Sequence, residues 1–74
     1  TRILEAWSNM SEVPAHIYRW GLKNENPDIK LQGIWLVGQT GAYAFLSDVV
    51  RAMDDSDPGI RGMAAWSTVM LLQQ

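Results

Sequence analysis

With 74 residues, 47% of them hydrophobic and 19% charged, and a formal net charge of −2, the chain reads as one small folded domain whose core is marginal by itself, not as a disordered segment. The six Lys and Arg are spread over Arg2, Arg19, Lys23, Lys30, Arg51 and Arg61 without a basic run to meet a phosphate backbone, so no nucleic-acid partner is expected. The lack of cysteine excludes disulfides and thiolate metal sites, and apolar runs of only a few residues predict no membrane partner and a cytoplasmic chain.

Residues 1–10 read as the end of a preceding unit. Ile3, Leu4, Ala6 and Trp7 are the apolar members of a helix tail that stops at the polar stretch Ser8 to Ser11. A chain opening on Thr1 is accordingly expected to be processed or to belong to something longer. Ser11 is a candidate cap for the next helix, with Pro14 in its first turn and Ala15, Tyr18 and Leu22 at helical spacing up to about Lys23. Lys23-Asn24-Glu25 is a tight connection. Asn26 then caps a second helix with Pro27 in first position, combining a side-chain acceptor with a preset φ. That helix is predicted to run to Gly38, where Gly38-Gln39-Thr40-Gly41 ends it through left-handed glycine. A third helix is predicted from Ala42 to Met53, with Leu46, Val49, Val50 and Met53 as its stripe. Asp57 and Pro58 start the last, which runs to about Gln73 with Ile60, Met63, Ala64, Thr68, Leu71 and Leu72. No stretch alternates as a strand does, so the fold class is all-α.

Asn26-Pro27-Asp28-Ile29-Lys30 and Asp57-Pro58-Gly59-Ile60-Arg61 are echoes of each other. Pairing the prolines gives a shift of 58 − 27 = 31 residues, which also matches Leu22 with Met53, Asn24 with Asp55, Gly33 with Ala64 and Trp35 with Trp66. A period of this size belongs to a two-helix unit that must stack on a neighbour to bury its apolar face. One domain over residues 1–74 follows, with unit one at 11–41 and unit two at 42–74.

The pattern resembles the HEAT-like repeats of the phycobilisome-lyase type, a class of α-solenoid. Asp55, Asp57, Pro58, Ile60, Arg61, Ala64 and Ala65 are similar to the opening of the family's inner helix, and Val37, Gly38 and Gly41 to its end, over residues 15–74. Three positions depart from the family pattern. Asn24 replaces the usual aspartate, Lys30 the usual arginine and Val69 the terminal glycine. The first two bear on the ladder of side-chain contacts that joins neighbouring units in the family. The resemblance implies a short solenoid of about two helical hairpins plus a truncated leading helix, with the inner helices lining a concave face.

Counting ~100° per residue from Ile29, residues Gly33, Leu36 and Val37 share an arc toward the outer helix, and Trp35 falls at roughly 240°, nearly opposite. Trp66 has the same place one unit later. Leu31, Trp35, Arg61 and Trp66 are therefore the candidate partner-binding residues, because tryptophan supplies large contact area with a polar N–H. The competing explanation for both indoles is packing against another chain or repeat. Trp7 and Trp20 are assigned to packing.

No catalytic or metal site and no cofactor is predicted. Asp54, Asp55 and Asp57 are the only acidic cluster, with metal binding or acid-base chemistry as the functional alternative. Asp57 is better read as a cap, Asp55 as a partner of Arg61 and Asp54 as a solvated turn residue. His16 has no companion ligand and is expected to be exposed. Ser47, Ser56 and Ser67 lack a nucleophile-elbow context, and Gly38 to Gly41 lacks the Lys-Ser/Thr ending of a phosphate loop. The expected function is a non-catalytic scaffold for a protein or peptide partner, with a homo-oligomer or longer solenoid formed by end-to-end stacking. The alternative, implied by relatives of this repeat type, is an accessory role in attaching or removing a bilin chromophore.

Overall fold

Two asparagine-or-aspartate plus proline junctions set the frame. Asn26 Oδ1 accepts from Asp28 N at 2.9 Å, and Asp57 Oδ1 accepts from Gly59 N at 2.7 Å and Ile60 N at 3.4 Å. Each satisfies amide donors that the first turn of a helix leaves open, and each is followed by proline, whose missing N–H costs nothing there. The computed structural model describes residues 13–73. The leading helix expected at residues 1–10, Trp7 and the Ser11 cap lie outside them. The described residues form four packed helices, α1 (Ala15–Leu22), α2 (Pro27–Thr40), α3 (Leu46–Ala52) and α4 (Pro58–Leu72), and include no strand.

Three boundaries differ from expectation. Helix α2 continues past Gly38 to Thr40, and it is Gly41, at φ 71°, that takes the left-handed cap, its N–H bonding Val37 O. The third helix does not begin at Ala42, which offers no capping side chain; a 3-10 turn at Tyr43–Phe45 precedes a shorter α3. Pro14 stands just before α1 with extended ψ of 140°, not inside the first turn.

Helix α2 packs on both α1 and α4, and α4 packs on both α2 and α3. A Cβ placed on Gly33 would come within 2.9 Å of Gly21 C and 3.1 Å of Leu22 N, so the two backbones nearly touch where Gly21 and Gly33 face each other. At the other end, the Tyr18 hydroxyl lies 2.6 Å from Thr40 Oγ1, which bonds Leu36 O at 2.8 Å. Because the single threonine proton goes to that carbonyl, the phenol donates to Thr40. Contacts of 21 with 33 and of 18 with 40 make α1 and α2 antiparallel. The Tyr18 ring also lies 5.0 Å from that of Phe45, which ties α1 to the turn entering the second repeat.

Helices α2 and α4 instead run parallel. Leu31 approaches Gly59 near both N-termini, and Gly38 approaches Trp66 and Ser67 farther along. A Cβ on Gly38 would lie 2.7 Å from Ser67 Oγ and 3.0 Å from Ser67 Cα. Ser67 is fully buried, and its hydroxyl donates to Ile34 O at 2.9 Å. Gly38 is therefore a close-approach site inside a helix and not a cap.

The core comprises Tyr18, Ile34, Leu36, Val37, Val49, Ala52, Ile60, Ala64 and Leu71. Each fully buried aliphatic side chain contributes roughly 1.5–3 kcal/mol. Gly33, Leu36 and Val37 are buried as predicted, but Ile34 and Gly38 are buried too, because α2 has a second covered side toward α4. Several expected apolar positions are not interior. On α3, Val49 and Ala52 are buried while Val50 and the cap residue Met53 are exposed; Leu72 and Ala15 also face solvent. Trp20, assigned to packing, is 45% exposed.

Candidate functional site

The turns that carry the repeat are built from the same bonds. Asn24 Oδ1 accepts from Asn26 N at 2.9 Å, and 31 residues later Asp55 Oδ1 accepts from Asp57 N at 2.9 Å. These side-chain turns fix the angle at which the chain enters α2 and α4, and hence the rotation of both helices. Trp35 and Trp66 accordingly occupy equivalent rotational positions on two parallel helices.

Their environments differ. Trp35 is half-buried and packs against the core, as does Leu31, whereas Trp66 is 37% exposed. The Trp66 ring lies over the α2 backbone, its Cζ3 within 2.9 Å of where a Cβ on Gly38 would be. Leu31 reaches the other way, its Cδ1 3.7 Å from the equivalent point on Gly59. Leu31 and Trp66 are thus brought to the α2/α4 seam. Arg61 is not brought to the indole: five residues from Trp66, it stands about 140° round α4. Its guanidinium donates to Asp55 O at 2.9 Å and Ser56 O at 3.1 Å.

Asp55 was expected to pair with Arg61. Its carboxylate instead pairs with Lys30 of α2, Nζ to Oδ2 at 2.9 Å. The Asp57 N–H is the chief influence holding the Asp55 carboxyl below its ordinary value, with the Lys30 hydrogen bond next and charge from Lys30 and Arg61 adding to it; partial desolvation acts in opposition. Lys30 therefore reaches from α2 to the turn that precedes α4. Asp57 is the expected cap, and Asp54 and His16 are exposed.

No family model, curated protein or solved structure matches the chain. The chemistry of the residues must therefore carry the functional reading. Among the described residues no three His, Asp or Glu side chains converge as metal ligands, and no helix is long and apolar enough to cross a membrane. No buried side-chain nitrogen or oxygen among them lacks a hydrogen-bond partner.

Sequence reasoning missed two features of this surface. One is the seam made by Gly38 and Ser67, for which the glycine inside an apolar stretch was the available signal. The other is the exposed Trp20, which shares a shallow groove with His16, Arg19 and Lys23; its spacing of four from His16 on α1 is the signal that the two share a side.

Proposed function

We propose that the chain is a non-catalytic interaction module, a short HEAT-like solenoid that holds a helix or extended peptide of a partner protein across α2 and α4. The observation that supports this is the recurrence of tryptophan at one rotational position on two parallel helices, with Trp66, 37% exposed, at the same α2/α4 seam as Leu31. A rigid aromatic ring backed by helix backbone is the kind of group that dominates binding energy at protein interfaces. Trp66→Ala removes the exposed part of the indole together with its packing on the α2 backbone at Gly38. Comparing the proteins retained by the wild type and by Trp66→Ala of equal helicity tests the reading. Loss of specific partners is expected, and an identical set of partners overturns it.

A second reading, self-stacking, is favoured by one further observation. The α2 positions that meet α4 include Leu31, Ile34 and Gly38. Adding 31 gives Gly62, Ala65 and Val69, all exposed on α4, with open space around Gly62. The last helix thus offers the uncharged side that α2 uses to receive its neighbour, and a second copy of the chain is the proposed occupant. Sedimentation should show concentration-dependent association that Val69→Glu abolishes; a wild type monomeric at all concentrations removes this reading and leaves the tryptophan surface untouched.

A further inference from the structure

The six Lys and Arg are scattered in sequence, yet four of them, Arg19, Lys23, Lys30 and Arg51, line one cleft of about 230 Å³ where α1, α2 and α3 meet. Its other lining includes Leu22 and Ala52 and the carboxylates of Asp48 and Asp55. None of Leu31, Trp35, Arg61 and Trp66 takes part. In a chain of net charge −2, the fold has gathered a local excess of two positive charges.

Those charges are unequally committed. Lys30 is held by Asp55 at 2.9 Å. Arg51 lies 3.8 Å from Asp48, and both of those side chains are largely or partly exposed, a weak contact that a ligand can displace. Arg19 on α1 and Lys23 at its C-terminal cap, one turn apart, have no side-chain partner among the described residues. The four cations come from three different helices, so an anion seated among them is approached from several directions. Leu22 supplies an apolar contact beside them.

We propose that this cleft binds an acidic peptide segment, seating one or two carboxylate side chains against Arg19, Lys23 and Arg51 with an adjacent apolar side chain on Leu22. The volume suits side chains rather than a large ligand. The two carboxylates in the wall and the absence of a longer basic track disfavour a nucleic-acid strand, whose affinity comes from many phosphates neutralised in a row. The apolar contact favours a peptide over a bare inorganic anion.

Amide chemical shifts of the 74-residue chain, followed during titration with a blocked octapeptide of alternating Glu and Leu, test the proposal. The expected result is movement of the amides of Leu22, Lys23, Arg51 and Ala52, weakening as salt is raised. Arg19→Gln and Lys23→Gln should each weaken binding about threefold and the double variant about tenfold, as suits exposed charge pairs. Both side chains are exposed, so unchanged helicity should accompany the loss. Unmoved cleft amides, equal affinity of the double variant or equal affinity for the peptide with Gln in place of Glu would overturn it. Inorganic phosphate or a single-stranded oligonucleotide binding the cleft as tightly as the peptide would overturn the peptide assignment.

Discussion

The turns before α2 and before α4 share one backbone design and carry different loads. Asn24 and Asp55 each use one side-chain oxygen to bind the amide two residues ahead. The amide group of Asn24 has no second acceptor oxygen, whereas Asp55 has Oδ2 to spare and uses it for Lys30 of the other repeat. Lys30 therefore reaches forward across the α2/α4 junction, while its counterpart Arg61 folds back on the carbonyls of its own turn. Local geometry is preserved by any residue with an acceptor at that position. The contact between repeats needs the carboxylate. Coverage differs at matched positions: α2 packs on α1 and α4, and α4 on α2 and α3, but Gly62, Ala65 and Val69, 31 residues after Leu31, Ile34 and Gly38, are exposed.

Substituting glycines breaks this comparison most sharply. Gly33→Val should destabilise by about 3 kcal/mol, near the upper end for overpacking, because the added atoms meet backbone of α1 that cannot rotate away. Gly38→Val should cost about 2 kcal/mol, since part of the clash is with the Ser67 hydroxyl and the Trp66 ring, which can shift. Chemical denaturation of the two variants measures both, and a smaller loss at Gly33 than at Gly38 would reverse the assignment of the tighter contact.

Removing the caps compares the two turns directly. Asn26→Ala and Asp57→Ala should each cost about 1 kcal/mol, with helicity lost from the start of the affected helix. Matched losses in denaturant melts support equivalent turns. Gly62→Ala should instead stabilise by about 0.5–1 kcal/mol, because nothing surrounds that position and alanine favours the helix.

The subtlest test concerns Asp55. A carboxyl held low in the folded state adds stability that is fully present above its unfolded value and fades as pH falls through its lowered folded value. The fading window lies below the ordinary 3.8. Asp55→Asn, which keeps an acceptor for Asp57 N as Asn24 does for Asn26, should flatten the acid limb of melting temperature against pH. An unchanged acid limb would show that the Lys30 contact carries no pH-dependent stability.

What the sequence disclosed was local. The Asn26-Pro27 and Asp57-Pro58 starts, the cap at Gly41 and the small residue at Gly33 depend on chemistry within a turn or on one packed partner, and each was readable from residue type and spacing. The burial of Ile34, Gly38 and Ser67 was not, because it depends on which helix lies beside α2. The exchange of Arg61 for Lys30 as the partner of Asp55 has the same origin. At the candidate site, the repeat placed Trp35 and Trp66 in register, but only packing decides how much of each indole is covered. The cation cleft was hidden for a similar reason: Arg19, Lys23, Lys30 and Arg51 span 33 positions (19 to 51) and meet only when three helices assemble.

The parallel packing of α2 and α4, joined where Gly38 meets Trp66 and Ser67, underlies both the paired turns and the proposed interaction surface. Nuclear Overhauser contacts on the labelled chain test this most directly. Cross-peaks from Gly38 Hα to the Trp66 indole, together with contacts between the Leu31 methyls and Gly59, are the predicted result; Leu31 contacting the Ser67 end of α4, or no contact between the two helices, would contradict it.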